Sequence, residues 1–348
     1  MSFFRFENLG GEYPALGADI AHGVPAAVFG VSDPEKYLIA SLVGGRAVYI
    51  APDALAAQRA HAAISALSKK KCVLLPAKDE VLTYRKSLSK DALYRRITAL
   101  YEWQRGADVL VTDIEAAVQL VPRRLETFLL RAGGEADMRA LVDTLVQAGY
   151  TREYSVDGKG AFSVRGDILD IYPVNCEHPV RIDFFGDEVE SIKPYDEITG
   201  ERYPLLPELE IAAATDVVIA EGEIPKLRSA LAEELRRVRD ADAYSRLQSI
   251  VSELEAADYR NDFILPLLEN SVSLLDETDA QTVLIFDECK PLKDKFEGLY
   301  REHWERLRML TEGGESVGFS GGQYVAWAGT PNFAGRRALA LQSFAGQT

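Results

Sequence analysis

The segment Gly30-Val-Ser-Asp-Pro-Glu-Lys36-Tyr37 has the spacing of a phosphate-binding loop and lies between a predicted strand and a predicted helix. In the loop G-x-x-x-x-G-K-[ST], backbone amides and a lysine hold phosphates, and the hydroxyl residue binds magnesium. Gly30 and Lys36 fit this pattern, but Glu35 replaces the second glycine and Tyr37 replaces the hydroxyl residue. A carboxylate repels phosphate, and a tyrosine is too bulky for the magnesium position. We interpret the segment as a degenerate nucleotide loop in a strand-to-helix turn, with residual nucleotide binding as the alternative.

The acid pair Asp287-Glu288 directly follows Thr282-Val-Leu-Ile-Phe286, an apolar run that predicts a buried strand. A helicase motor ends such a strand with two acids that bind magnesium and activate water. Here Cys289-Lys290 follows, where a helicase has Ser-His or Ala-His. Because the phosphate loop is degenerate, we interpret Asp287 and Glu288 as a degenerate acid pair rather than a working site.

Other catalytic or metal chemistry has no pattern in the sequence. The four histidines are scattered, and none has a serine or cysteine beside it in a motif that suggests a catalytic triad. Cys72, Cys176 and Cys289 are far apart and lack metal-ligand spacing. We therefore expect no catalytic residue, no metal and no cofactor in this chain. So few cysteines are typical of a protein in the reducing cytoplasm.

Two strand patterns place arginines and a phenylalanine on a polar face. In Val180-Arg-Ile-Asp-Phe-Phe185, strand alternation puts Arg181 and Phe185 opposite the apolar side chains. In Phe162-Ser-Val-Arg-Gly166, the same alternation puts Arg165 on the polar side. Arginines beside an exposed aromatic side chain are typical of a hot spot in a protein interface. The alternative is that Phe185 fills a small core beside Gly186.

The chain divides into three segments. Residues 1–121 alternate short β-branched runs with helical patterns, which predicts a parallel sheet with helices on its faces, an α/β lobe. Residues 122–209 hold a helix and then four or five short strands separated by turns, which predicts an inserted α+β domain. Residues 210–348 combine a polar stretch of helical periodicity with the strand before the acid pair, which predicts a further α/β lobe with long helices.

The chain is acidic, with 39 Lys and Arg against 54 Asp and Glu and a net charge of −15. Residues 1–121 are nearly neutral, so the acidity belongs to the rest of the chain. Such a chain is poorly suited to binding duplex DNA through its phosphates. The basic runs Lys69-Lys-Lys71 and Arg236-Arg-Val-Arg239 leave nonspecific DNA binding as a weaker alternative. No apolar run approaches the roughly 20 residues of a membrane span, so we expect no membrane contact.

The segment Phe162-Ser-Val-Arg-Gly-Asp-Ile-Leu-Asp-Ile-Tyr-Pro173, followed by Val180-Arg-Ile-Asp-Phe-Phe-Gly-Asp-Glu-Val-Glu190, resembles the UvrB-like module of the bacterial transcription-repair coupling factors, the Mfd family. This signature is long and specific, and the similarity extends through the whole chain. The excision-repair helicase UvrB shares the signature but keeps an intact phosphate loop, whereas the coupling factors have lost that loop from their N-terminal module. Glu35 and Tyr37 therefore favour a coupling factor, with a UvrB-like ATP-dependent excision-repair helicase as the alternative.

The resemblance implies a degenerate helicase-like lobe at 1–121, a UvrA-binding insert at 122–209 and a second part of the UvrB-like module at 210–348. Together they would form the N-terminal part of a longer cytoplasmic protein of nucleotide excision repair. By motif match, Arg165, Arg181 and Phe185 would bind UvrA, the damage-recognition ATPase, and recruit it to stalled transcription complexes. The resemblance also implies that a C-terminal domain of the intact family covers this surface.

The same resemblance implies that this part of the protein is not an enzyme. ATP, magnesium, RNA polymerase and DNA would be cofactors and partners of the full-length protein, which is a DNA translocase in this family. Replacing Arg181 or Phe185 by alanine should then weaken UvrA binding and leave the melting curve of the chain unchanged.

Overall fold

The computed structural model describes residues 6–78, 82–84, 90–196, 199–220, 222–323 and 336–344. The chain folds into two compact units. Unit 1 comprises residues 1–87, 102–123 and 219–348, and unit 2 comprises residues 88–101 and 124–218. The chain therefore enters unit 2 twice before it returns to unit 1 for its last third.

The helices are α1 (Tyr13–His22), α2 (Asp33–Leu42), α3 (Ala54–Leu67), α4 (Lys90–Gln104), α5 (Ile114–Val118), α6 (Met138–Gln147), α7 (Glu223–Arg237), α8 (Ala241–Ala256), α9 (Leu274–Glu277) and α10 (Cys289–Glu312). The strands are β1 (Ala26–Phe29), β2 (Ala47–Ala51), β3 (Cys72–Leu75), β4 (Val109–Asp113), β5 (Leu120–Pro122), β6 (Thr127–Arg131), β7 (Thr151–Arg152), β8 (Ala161–Arg165), β9 (Ile168–Ile171), β10 (Val180–Phe185), β11 (Glu188–Pro194), β12 (Glu208–Ala212), β13 (Ser271–Ser273), β14 (Val283–Asp287) and β15 (Arg337–Gln342).

Unit 1 is built on a six-stranded parallel sheet in the order β1-β15-β14-β2-β4-β3. Every residue of β2, β4 and β14 is buried. Such continuous burial is typical of central strands with helices on both faces of the sheet. The strands predicted within residues 1–121 are β1 to β4, and the predicted α/β organisation is confirmed.

The last third of the chain contributes two strands to this same sheet. β14, which carries the acid pair at its end, and β15 lie between β1 and β2. The sequence pattern predicts a lobe of its own for 210–348, whereas in the structure residues 219–348 share unit 1 with most of residues 1–121. In a parallel sheet all strands end at the same edge. The end of β14 and the loop after β1 therefore lie at one edge of the sheet.

The polar stretch of helical periodicity is two helices, α7 and α8. The predicted helical periodicity is confirmed, and each helix buries leucines along one side: Leu227 and Leu231 on α7, and Leu247 and Leu254 on α8. The break between the helices has a local cause. The Asp240 carboxylate accepts a hydrogen bond of 2.8 Å from a main-chain N–H in the first turn of α8 and so caps that helix.

Unit 2 contains a five-stranded sheet in the order β11-β10-β9-β8-β7, antiparallel except for the pair β7 and β8. β6 and β12 form a separate antiparallel pair. One side of the large sheet is apolar, and each of its four long strands contributes at least one fully buried side chain to it: Phe162, Leu169, Ile171, Ile182 and Ile192. Helix and antiparallel strands give this unit the α+β character predicted for 122–209.

Gly160 in unit 2 stands where only glycine fits. Its φ is +79°, in the left-handed region, and a Cβ at this position would overlap the ring of Tyr94 on α4. Its main-chain N–H also donates to the Tyr172 carbonyl at 2.8 Å, which holds the backbone in place. We expect Gly160→Ala to lower the free energy of unfolding by about 2–4 kcal/mol, from backbone strain and overpacking.

Gly158→Ala is the matched control for this prediction. A Cβ at Gly158 meets no atom within 4 Å, and the backbone there is not left-handed. Gly158→Ala should lower the free energy of unfolding by less than about 1 kcal/mol. Urea unfolding followed by circular dichroism measures both variants, and equal stabilities would contradict the steric explanation.

Candidate functional site

The segment 30–37 of unit 1, predicted to be a degenerate nucleotide loop, caps a helix. Gly30 ends β1 with a φ of +75°, and α2 begins just after Ser32. The main-chain N–H and the hydroxyl of Ser32 both donate to Oε2 of Glu35 at 2.7 Å. These hydrogen bonds lower the pKa of the Glu35 carboxyl. A negative charge at the start of a helix is stabilising, so Glu35 supplies the anion that a phosphate would supply in an intact loop.

Lys36 is bound by three carboxylates of its own chain. Its Nζ lies 2.8 Å from Oδ1 of Asp287, 2.6 Å from Oε1 of Glu288 and 3.2 Å from Oδ1 of Asp33. The lysine is only 2% exposed. An ammonium group has three N–H donors, and here all three have acceptors. The structure thus joins the two groups that the sequence analysis singled out separately, the loop lysine and the acid pair.

Two tyrosines, Tyr49 and Tyr37, lie next to these charged groups. The Tyr49 hydroxyl donates to Oδ2 of Asp287 at 2.8 Å. Tyr37, which replaces the magnesium-binding hydroxyl residue, is buried with its ring centroid 6.3 Å from that of Tyr49. The main-chain N–H of Ser343 donates to Glu288 at 2.7 Å. Both oxygens of Asp287 therefore have donors, and Tyr37 fills space as a core residue. We call Lys36, Asp287, Glu288 and Tyr49 the lysine cluster.

Burial and ion pairing act in opposite directions on the pKa values of the lysine cluster. Burial acts to lower the pKa of Lys36, but hydrogen bonds and charges from Asp287 and Glu288 outweigh it and raise that pKa above its usual value. Burial also acts to raise the pKa of Glu288, and the hydrogen bonds from Lys36 and Ser343 bring it below its usual value. Burial, followed by the charge of Asp287, raises the pKa of Tyr49. Burial raises the pKa of Asp287 above its usual value, although the hydrogen bond and charge of Lys36 act to lower it.

The charged groups of the lysine cluster pair with one another, and this limits which ligands the cluster can bind. A nucleotide at this site would need the Lys36 ammonium, and a magnesium ion would need Asp287 and Glu288, yet each of these groups already neutralises the other. Separating a buried ion pair costs several kcal/mol. Among the described residues, no group of three His, Cys, Asp or Glu side chains has the arrangement of a metal site.

The polar side of the large sheet in unit 2 carries both predicted arginines. Arg165 on β8 pairs with Ile168 on β9, which pairs with Asp183 on β10. Arg181 lies two residues before Asp183 on the same strand. Paired residues, and residues two apart on a strand, share one side of a sheet. Arg165 and Arg181 therefore lie on the same side, which we call the arginine face.

Arg181 is held in position by Asp170. Its Nε and Nη2 donate to the two carboxylate oxygens at 2.7 and 2.8 Å, and Asp170 is buried. These hydrogen bonds raise the pKa of Arg181. On the next strand, Lys193 donates to Asp183 at 2.6 Å. The arginine face thus has two ordered ion pairs, and a bidentate pair fixes the plane of the guanidinium.

Phe185 is 79% exposed at the end of β10. The side chains of Val180, Ile182 and Phe184 on the same strand are buried, as strand alternation predicts. The alternative, in which Phe185 fills a small core beside Gly186, is therefore wrong. A side chain of this size and exposure is available to a partner.

Arg165 and Phe185 lie at the same end of the sheet. The Phe184 N–H donates to the Asp167 carbonyl, in the turn after Arg165, at 2.8 Å. Tyr154, which the sequence analysis did not single out, also lies there, with its ring centroid 4.9 Å from the Arg165 guanidinium carbon. An isolated aromatic residue in the polar stretch Arg-Glu-Tyr-Ser was the signal that could have identified it.

Half of the basic residues in the runs considered for DNA binding are engaged within the chain. Lys70 donates to the Val43 carbonyl, and Lys71 pairs with Glu102. Arg237 pairs with Glu233 and Glu234 on its own helix. These contacts favour the interpretation of both runs as parts of the folded surface of unit 1.

Comparison with known proteins assigns unit 2. Residues 128–216 match the family model of the UvrB interaction domain. The arginine face and Phe185 lie within the matched residues, so the surface found from geometry falls in the part of the chain that is similar to this domain.

The chain is also similar to curated transcription-repair-coupling factors. It is 27% identical to that of Bacillus subtilis over 277 residues, which are 74% of this chain and 23% of the relative. The factor of Myxococcus xanthus is 33% identical over 45% of this chain and 14% of its own length. That of Staphylococcus haemolyticus is 30% identical over 58% of this chain and 18% of its own length.

These similarities confirm the predicted relationship to an N-terminal module of the transcription-repair coupling factors. The chain spans less than a quarter of the length of these curated relatives. Among the described residues, no helix is both long and apolar enough to cross a membrane.

Proposed function

We propose that this chain recruits UvrA to stalled transcription complexes in nucleotide excision repair, as the N-terminal module of a cytoplasmic transcription-repair coupling factor. The observation that carries the proposal is that the region matched to the UvrB interaction domain holds an exposed phenylalanine on the same sheet as two arginines with hydrogen-bonded side chains. Arginine and aromatic side chains are enriched among interface hot spots. RNA polymerase and DNA would be partners of the full-length protein.

Binding of purified UvrA to the chain tests this proposal. The two proteins are expected to co-elute in size-exclusion chromatography, and excess UvrB should displace the chain because both would use the same surface of UvrA. A chain that does not bind UvrA at micromolar concentration would contradict the proposal. A complex that UvrB leaves intact would place the contact on another surface.

We further propose that the chain is not an ATPase, since the lysine cluster neutralises the groups that a nucleotide and its magnesium would need. Magnesium-ATP at 1 mM is expected to change the melting temperature by less than about 1 °C, because only a bound ligand stabilises the folded state. Differential scanning fluorimetry measures this shift. A clear rise with ATP, together with ATP hydrolysis that Lys36→Ala abolishes, would restore the UvrB-like helicase alternative.

A further inference from the structure

We infer that Tyr154 is a further anchor of the contact with UvrA, an inference that rests on the proposed function. Tyr154 is 88% exposed, more than Phe185. An exposed tyrosine offers a partner a large apolar ring that loses little conformational freedom on binding. The matched UvrB interaction domain includes this residue.

Arg165 and Tyr154 hold each other in place. Nη2 of Arg165 donates to the Tyr154 carbonyl at 2.7 Å, and the guanidinium carbon lies 4.9 Å from the ring centroid. The backbone at Tyr154 is itself tied to β8, because the Glu153 N–H donates to the Phe162 carbonyl at 2.8 Å. One side of the ring therefore faces the cation, and the rest is free to contact a partner. Two side chains ordered before binding lose less entropy in the complex.

The charges of the arginine face indicate what the partner presents. Arg181 and Lys193 already have carboxylate partners in the chain, Asp170 and Asp183. In the part of the chain that the structure describes, Arg165 has no carboxylate within ion-pair distance. A carboxylate of the partner would form an ion pair with Arg165. Apolar surface on either side of that carboxylate would cover the rings of Tyr154 and Phe185.

The separation of the two rings sets the size of this contact. Tyr154 follows β7 and Phe185 ends β10, so the two residues stand three strands apart in the sheet. At about 4.8 Å between strands, this spacing is about 14 Å. Such a width lies within an interface that buries about 800 Å² on each partner. The geometry thus fits a patch of UvrA that has one carboxylate between two apolar depressions.

The dissociation constant of UvrA for single variants tests the role of Tyr154. We expect Tyr154→Ala to weaken binding by about tenfold or more, as for a hot-spot residue. Tyr154→Phe keeps the ring and should retain most of the affinity. Leu205→Ala is the matched control, because Leu205 is an exposed apolar residue of unit 2 outside the arginine face, and its affinity should stay at the wild-type value.

The same measurement in an Arg165→Ala background distinguishes a direct contact from a positioning role. If the ring itself contacts UvrA, Tyr154→Ala still weakens binding in that background by about threefold or more. A loss seen only when Arg165 is present would overturn the inference, since Tyr154 would then act only through Arg165. No loss in either background would also overturn it, while wild-type binding would leave the proposed function standing. A wild-type chain that does not bind UvrA would overturn both.

Discussion

Replacing Lys36 by methionine is expected to lower the free energy of unfolding by about 3–5 kcal/mol. Lys36 is the cation shared by Asp287 and Glu288, and Asp287 is only 4% exposed. Without the ammonium, the buried carboxylate keeps its desolvation cost and loses its compensating charge. The measurement is urea unfolding of the wild type and the variant. In an intact phosphate loop the lysine serves the nucleotide, so a large cost in the nucleotide-free protein identifies the cluster as structural.

Two controls accompany the Lys36 variant. Lys290→Met removes an exposed lysine at the start of α10 and should cost less than about 0.5 kcal/mol. Adding Asp287→Asn and Glu288→Gln to Lys36→Met removes the unpaired charges and should recover part of the lost stability. A Lys36→Met protein as stable as the wild type would contradict the assignment of the cluster.

The pH dependence of this effect follows from the shifted pKa values. The raised pKa of Lys36 means that its contribution is fully present below about 10.5 and is lost only above that pH. The lowered pKa of Glu288 means that its contribution is present above about 4.5 and is lost as the pH falls further. Burial raises the pKa of Asp287, and loss of the Lys36 ammonium raises it further, so the variant can take up a proton on this carboxyl as the pH falls. The stability difference between wild type and Lys36→Met should therefore be largest near about pH 9 and become smaller as the pH falls.

Phe185→Ala is expected to weaken UvrA binding by about 1–4 kcal/mol, or about 5-fold to 900-fold in the dissociation constant. Because Phe185 is 79% exposed, its removal should leave the melting temperature unchanged. Leu205→Ala, which removes another exposed apolar side chain of unit 2, should leave both the affinity and the melting temperature unchanged. Equal losses of affinity in the two variants would mean that general surface hydrophobicity, and not this position, supports binding.

Arg181 needs a different design from Phe185. The prediction that Arg181→Ala leaves the melting curve unchanged does not allow for the bidentate pair between Arg181 and buried Asp170. Removing the arginine alone leaves that carboxylate unpaired, which costs stability. Arg181→Ala combined with Asp170→Ala removes both charges, so a loss of UvrA binding in the double variant is the cleaner test. Arg165→Ala leaves no carboxylate unpaired among the residues that the structure describes.

The features of the lysine cluster and the arginine face that depend on neighbouring residues could be predicted from the sequence. Strand alternation predicted the exposure of Phe185, which is confirmed, whereas the degenerate loop inferred from Glu35 and Tyr37 stays a prediction. Both inferences depend on residues a few positions apart, where backbone geometry alone fixes which side chains point the same way.

The remaining features depend on contacts between distant residues. Lys36 and Asp287 are separated by 251 positions, and their pairing follows from the insertion of β14 and β15 between β1 and β2. Strand order in a parallel sheet leaves no local pattern, so residues 210–348 looked like a separate lobe. The proximity of Tyr154 to Arg165 likewise depends on a contact between separate strands, since β7 lies beside β8.

Calorimetric titration of UvrA into the chain tests the central claim most directly, with the wild type compared to the variant Arg165→Ala/Phe185→Ala. The account predicts saturable binding of the wild type and no measurable binding of the variant, with the same melting temperature for both. Wild-type affinity in the variant would contradict the claim that the arginine face and Phe185 form the UvrA-binding surface.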